Sequence, residues 1–458
     1  MKLNRLFIII VSTFLLQSCL FQEKDLFDKS ASERIEEAVE NLYDVLISAP
    51  NGWKMTYYTS PDKYGAYNIL MNFDSKEKVT MQGDKLFESG KHSSYYTINR
   101  SQGVVLDFNE YNKVISLLAN GALFNTDGST LGGDNEFVWQ RTSASQDTIF
   151  FKSKKQSAEV QMIRLDENQG WDQYLNLINA VMNEFSAGDL NRYFKILNFD
   201  DGSSWVLGGY NEIARSIDVF YLRADGELER ATRGVGFTKD GFSFYEPLEI
   251  EGRTIQHVPY DTESATFRLT IDGISGQLTS GRPPFVIPGN LDRKLFVARE
   301  SPLQSDIYGL TLASAELNNL LSRMQMTVRQ NKLPELAGLF WFPAPPGVTY
   351  FGKSIYCVVL LRDVMDGSDP FAAMKALTVD NNVDGRSDTF KFTPLVGFPG
   401  VRSDEGAYWD LLKVDFLELF EMLVGETDGF IAVPDRYFQN ITFGAISKNL
   451  TFGISIVN

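Results

Sequence analysis

Asp380-x-Asn382-x-Asp384-Gly385-x-x-Asp388 is the stretch whose residue types and spacing fit a metal ion. Oxygen side chains at the first, third, fifth and ninth positions, with glycine at the sixth, match a calcium loop. Calcium takes several hard oxygen ligands, and the glycine permits the sharp turn. The twelfth position is Lys391, where a bidentate Glu would be required. Met374-Lys375-Ala376-Leu377 reads as the end of a preceding helix, whereas Phe390-Lys391-Phe392 reads as strand. The pattern therefore fails as an EF-hand. It leaves either a helix-to-strand calcium loop carried by Asp380, Asn382, Asp384 and Asp388, or a turn using the same residues for local hydrogen bonds.

Other catalytic chemistries lack their groups. The chain has 2 histidines, His92 and His257, and 2 cysteines, Cys19 and Cys357. No H-E-x-x-H helix and no histidine pair at ligand spacing are present, so a zinc hydrolase has no ligands. No G-x-S-x-G elbow accompanies either histidine. His92 reads as a loop residue and His257 as a strand residue, both structural. A two-carboxylate glycosidase needs only two acids at a set separation, which no local motif announces. With 59 Asp and Glu residues, no pair stands out. Catalytic residues are accordingly assigned to none, and no cofactor is expected beyond calcium in the Asp380 loop.

Cys19 carries a different chemistry. It follows an apolar run from Leu6 to Leu16, preceded by Lys2 and Arg5, and ends the tetrad Leu16-Gln17-Ser18-Cys19. A basic start, a short apolar stretch and small residues before the cleavage point make a secretory signal. Eleven helical residues rise about 16 Å, short of the ~30 Å hydrocarbon core. The arrangement resembles a bacterial lipoprotein signal, so Cys19 is expected to become the acylated first residue of the mature chain. Gln17 departs from the usual small or aliphatic residue at its position; the alternative is an ordinary signal peptide with an incidental cysteine. Several acyl chains would hold the protein permanently, since each buried methylene contributes about 0.8 kcal/mol.

The chain has 458 residues with a formal net charge of −16. An acidic surface suits an exported protein, and no basic patch interleaved with aromatics favours nucleic acid. With Cys19 acylated, Cys357 has no disulfide partner. It falls within the apolar run Ser354–Leu361 and reads as a small hydrophobe buried in a strand.

The elements that must position these residues follow from periodicity. Ser30 and Glu33 fit a capping box ahead of Ile35, Ala38, Val39, Leu42 and Leu46, and Pro50 stops the helix. Helices are expected at 31–48, 171–186, 312–331 and 408–424. Strands are expected at 52–58 and 67–73, whose aromatics Trp53, Tyr57, Tyr58, Tyr64 and Tyr67 read as sheet core, with sugar-stacking platforms as the alternative. Asp225-Gly226 and Asp240-Gly241 mark hairpins. Residues 441–444 and 450–454 read as adjacent strands. The recurring order of helix, breaker and strands suits either an ancient duplication or an ordinary α+β rhythm. The expected class is α+β: antiparallel sheets with packed amphipathic helices in two or three subdomains. The expected divisions are a signal peptide at 1–18, an acidic tether at 19–28, a helix-plus-sheet region at 29–190, an antiparallel β region at 191–290 ending in the Pro-rich linker 281–289, and an α+β region at 291–458.

Several segments resemble a recurrent Bacteroidota lipoprotein family, the domain of unknown function 4302. They are Phe27–Arg34, the helix exit Ser48-Ala49-Pro50-Asn51-Gly52-Trp53, Gly65-Ala66-Tyr67, Gly103-Val104-Val105-Leu106-Asp107-Phe108-Asn109-Glu110-Tyr111-Asn112, and Gly236-Phe237 through Glu246-Pro247-Leu248. The similarity covers roughly residues 25 to 260 well and the remainder weakly. These motifs are structural punctuation, and no catalytic residue comes with them. The resemblance implies a surface lipoprotein from loci that often encode SusC/SusD-like outer-membrane partners and sometimes metallopeptidase lipoproteins. The expected function is a non-catalytic accessory or ligand-binding lipoprotein beside a TonB-dependent transporter and a SusD-like partner, taking a glycan or peptide. The alternatives are a carboxylate hydrolase and a purely structural or adhesive surface protein. The expected location is the outer membrane, lipid-anchored at the cell surface, with the periplasmic face as the other possibility.

Overall fold

The computed structural model describes residues 29–61, 63–74, 78–101, 103–120, 130–186, 193–250, 252–287, 307–312, 314–333, 336–343, 349–350, 353–362, 371–381, 383–395, 407–434, 440–448 and 450–457. The leader, Cys19 and the tether lie outside them. Among the described residues the protein is mainly antiparallel β, with a few helices packed on the sheets.

Helix α1 (Ala31–Ile47) starts as the sequence requires. The Glu33 N–H donates to Ser30 Oγ at 3.2 Å and the Ser30 N–H donates to the Glu33 carboxylate at 2.8 Å, which holds that carboxyl below its ordinary range. Its apolar stripe ends in Leu42, Val45 and Leu46, all buried on the first sheet. That sheet contains β1 (Trp53–Tyr58), β2 (Ala66–Phe73), β3 (Lys78–Gly83), β4 (His92–Tyr95), β5 (Thr97–Asn99), β6 (Val105–Asp107), β7 (Glu136–Thr142), β8 (Thr148–Ser153) and β9 (Glu159–Arg164). The order is β4-β3-β2-β1-β9-β8-β7-β6-β5. Only Tyr96 separates the edge strands β4 and β5 in sequence, so the sheet curls until its edges nearly meet. Trp53, Tyr57 and Tyr67 lie inside it, as sheet-core aromatics should. A short helix, α2 (Ile115–Ala119), escaped the sequence reading because five residues show no period.

Helix α3 (Trp171–Ser186) follows in the chain but belongs by packing to the next unit. This unit is a closed barrel of β10 (Lys195–Phe199), β11 (Ser204–Asn211), β12 (Ser216–Leu222), β13 (Leu228–Thr238), β14 (Gly241–Ile250), β15 (Arg253–Asp261), β16 (Thr266–Ile271) and β17 (Ile274–Ser280). Both Asp-Gly pairs sit at hairpin turns, Gly226 with φ 83° and Gly241 with φ 143°. Phe185, near the end of α3, reaches aromatic rings on four of these strands: Tyr210, Phe237, Phe242 and Phe267, with centroids 5.1–5.8 Å away. The helix thus fills the barrel from one end. Lys195 Nζ lies 4.9 Å from the Phe185 centroid, and burial pushes its ammonium down to about 8 against the opposing pull of Glu212.

A fully buried ion pair fastens the first sheet to the barrel. Arg215 donates from Nη1 to Asp84 Oδ2 at 2.7 Å and to the Ala66 carbonyl at 2.6 Å, and from Nη2 to Asp84 Oδ1 at 2.5 Å. Burial alone would raise the Asp84 carboxyl, but the Arg215 guanidinium and the Asn68 and Leu86 N–H groups hold it below the ordinary range. Gly65, Gly234 and Gly236 let the two backbones approach here; a Cβ on Gly65 would fall 2.2 Å from the carbonyl oxygens of Arg215 and Val235.

The third unit contains β18 (Ile307–Leu312), β19 (Leu336–Pro343), β20 (Thr349–Tyr350), β21 (Lys353–Arg362), β22 (Phe371–Asn381), β23 (Thr389–Pro394), β24 (Phe430–Pro434), β25 (Asn440–Ala445) and β26 (Thr451–Val457). The order is β19-β18-β26-β25-β24-β23-β22-β21-β20, and the further pairing of β19 with β21 joins the ends into a ring. Helices α4 (Ala315–Gln330) and α5 (Ala407–Val424) bury Leu320, Met324, Phe416 and Leu419 against it. Strand β24 is shared: Phe430 and Ala432 face the helices, while Ile431 and Val433 pack on Phe194, Ile196 and Val206 of the barrel.

Three sequence expectations need correction. Met374–Leu377 lies in β22, where all four residues pair with β21 and Leu377 also pairs with β23, not at a helix end. His92 opens β4 instead of lying in a loop. Cys357 is half-buried, with its thiol pushed up by burial, not fully interior.

Candidate functional site

On the first sheet a cavity of about 530 Å³ opens beside the loop that follows β6. The loop is pinned at both ends. The Phe108 N–H donates to the Asn135 carbonyl at 3.0 Å, and the Phe108 ring meets Phe137 edge-on at 6.0 Å. At the other end Asn112 is buried. Its Nδ2 donates to Ser94 Oγ at 3.0 Å and the His92 carbonyl at 3.4 Å, and its Oδ1 accepts the Val114 N–H at 2.9 Å. Between these anchors Asn109, Glu110 and Tyr111 are all exposed and all line the cavity, Tyr111 at 59%. Exposed side chains on a tethered backbone form a preorganised surface, which limits the ordering a ligand must impose. Ser116, Asn120, Thr130, Asn135 and Lys155 complete the polar wall.

The acids around it are already engaged. Asp107 and Glu136 stand directly opposite across β6 and β7. Glu136 is bound to Lys154 Nζ at 2.5 Å. Burial, with Glu136 beside it, raises the Asp107 carboxyl, and Lys154 opposes the rise. Buried Asp134 accepts the Lys155 N–H at 2.6 Å and the Glu136 N–H at 3.2 Å. None of these three lines the cavity, where Glu110 is the sole carboxylate among the described residues. A second cavity, about 550 Å³, lies at the tip of the β12–β13 hairpin and includes Asp225, Glu229 and Glu249. There Arg223 pairs with Asp225 at 3.2 Å and Glu229 at 3.3 Å, all about half exposed. Among the described lining residues, neither cavity pairs a desolvated acid with a second carboxylate, the arrangement that glycoside hydrolysis needs.

Of the four residues expected to form a calcium loop, Asp380 and Asp388 can be placed. Asp380 remains on β22 opposite Lys391. Both Asp388 oxygens are occupied: Oδ1 accepts Arg386 Nε at 3.0 Å, and Oδ2 accepts Arg386 Nη2 at 2.8 Å and the Ile287 N–H at 2.9 Å. Arg386 also donates to the carbonyls of Pro283 at 2.7 Å and Phe285 at 2.8 Å. Pro283, Phe285 and Ile287, in the segment expected as a Pro-rich linker, are therefore held to the third unit. Asn382 and the Asp384 side chain lie outside the described residues. Among the described residues no group of three or more His, Cys, Asp or Glu is placed to hold a metal.

One contact escaped the sequence reading: Ser243 Oγ lies 2.8 Å from His257 Nδ1 across β14 and β15. Both lie on the barrel's outer surface, outside the two cavities. Gly103–Asn112, read from the sequence as structural punctuation, carries no sequence signal for a presenting surface; only the structure puts Phe108 and Asn112 inside and the three residues between them outside. No helix among the described residues is long and apolar enough to cross a membrane.

The family described as "Domain of unknown function (DUF4302)" matches residues 23–262. The match stops just after β15, before the two strands that close the barrel. No curated protein matches the chain. Among solved structures, the isotype 1 transferrin binding protein B from serogroup B Neisseria meningitidis is similar at 10% identity and a TM-score of 0.13, over 85% of this chain. The chain spans just under two thirds of that protein, 64% of its length. The DNA polymerase III beta subunit from Thermotoga maritima is similar at 10% identity and a TM-score of 0.14, over 90% of this chain and 91% of that one. Likeness at this level carries no functional inference.

Proposed function

The chain belongs to the DUF4302 family, and on that premise we propose that it is a non-catalytic, ligand-binding lipoprotein of the outer membrane. In this reading Cys19 is acylated, the protein faces the cell exterior, and it hands its ligand to a SusC/SusD-like pair built on a TonB-dependent transporter. The observation that carries the binding role is the cavity beside Asn109-Glu110-Tyr111. Its volume falls within the range of small-molecule sites, and its loop is held rigid from both ends. The same cavity holds a single carboxylate among its described residues, which supports capture over hydrolysis. The anchor rests on the leader and the residues around Cys19.

Two measurements test this. Glycan and peptide arrays probed with the purified protein should return a ligand whose binding falls in Tyr111→Ala without a change in melting midpoint. Turnover of that ligand by the same preparation would replace the binding role with an enzymatic one. Cys19→Ala should release the protein from membranes or leave the precursor uncleaved; normal processing and membrane retention in that variant would remove the anchor.

A further inference from the structure

Resting on the binding role just proposed, we infer that the cavity takes a neutral carbohydrate. Charge is balanced among the described lining residues, where Glu110 is the one acid and Lys155 the one base. An anionic ligand would call for several cations, and a cationic one for several acids. The remaining polar groups are side-chain amides and hydroxyls. An amide presents donors and an acceptor together, as a sugar hydroxyl does, so the two pair in either direction. Asn135 sharpens the point, because its amide oxygen is buried and has no hydrogen-bond partner. Asn135 lines the cavity, and the broad terminal torsion of an amide lets such an oxygen adjust to a ligand hydroxyl. Tyr111 supplies the apolar element, an exposed ring on a fixed backbone against which the C–H face of a pyranose can lie. A peptide would instead seek a free strand edge or apolar side-chain pockets. Of the described lining side chains only Phe108, Ala119 and the Tyr111 ring are apolar, and Phe108 is buried in the core.

The test uses the full chain in a sugar-free detergent, probed on one array carrying neutral oligosaccharides, uronate and sulfated oligosaccharides, and peptides. Neutral oligosaccharides should bind, at least tenfold more weakly in Tyr111→Ala and severalfold more weakly in Asn109→Ala, with Tyr111→Phe close to the parent. Both positions are exposed, so melting midpoints should not move. Tyr111-dependent binding of peptides or charged oligosaccharides alone would overturn the ligand class and leave the binding role standing. Neutral binding indifferent to both substitutions would overturn the site. Silence on every arm would overturn the ligand class and the binding role together.

Discussion

Two loops with several polar side chains take opposite forms in this protein. In the segment from Val383 to Thr389, the side chains of Arg386, Asp388 and Thr389 turn inward and find protein partners. Asp388 holds Arg386 and the Ile287 N–H, and Thr389 donates to the Val383 and Arg386 carbonyls at 2.6 and 2.8 Å. Between Phe108 and Asn112 the anchors are buried and the three residues between them face solvent. Similar residue types thus make a clamp in one place and a presenting surface in the other. A loop is free to bind only with the polar groups that the protein itself leaves open, because a buried group without a partner costs more than the average hydrogen bond contributes.

The contrast can be broken in order of expected effect. Asp388→Ala should destabilise the protein by about 3–5 kcal/mol, since it strands the partly buried Arg386 guanidinium and the Ile287 N–H. Chemical denaturation measures it, and a loss below about 1 kcal/mol would dissolve the clamp. Leu42→Ala supplies an apolar benchmark in the first core, expected at about 2–5 kcal/mol by the same assay. Asn112→Ala should cost about 1–3 kcal/mol by unpairing its buried partners, and should weaken ligand capture by loosening the loop. Tyr111→Ala should stay within about 0.5 kcal/mol of the parent, and a larger loss would mean that the ring is structural. The smallest effect is expected from calcium: melting midpoints with the ion and with chelator should coincide. A calcium-dependent rise that disappears in Asp384→Ala would restore the metal loop and undo the comparison.

Much of the local architecture was legible. The 3.6-residue stripes of Leu42 and Leu46 and of Trp171 to Phe185 became buried helix faces, and both Asp-Gly pairs became hairpin turns. The capping box at Ser30 and Glu33 formed with both of its hydrogen bonds. Met374–Leu377 was misread because helical and extended readings of so short an apolar run differ little; pairing with β21 decided the matter. Barrel closure was not legible either. It depends on β10 meeting β17, with Lys195 opposite Ser280, and nothing in either segment names the other.

The sequence by itself determined the helix stripes, the turns, the antiparallel character of the sheets and the acidic balance of the chain. Each depends on residues a few positions apart or on composition alone, so each can be read along the chain. Tertiary structure alone decided which polar groups remain open. Arg386 reaches carbonyls 101 and 103 positions away, and Arg215 finds Asp84 across 131. Tyr111 has no such distant partner among the described residues and remains 59% exposed. Burial and hydrogen-bond satisfaction are properties of neighbours in space, and the fold assigns those neighbours only when its long-range pairings close.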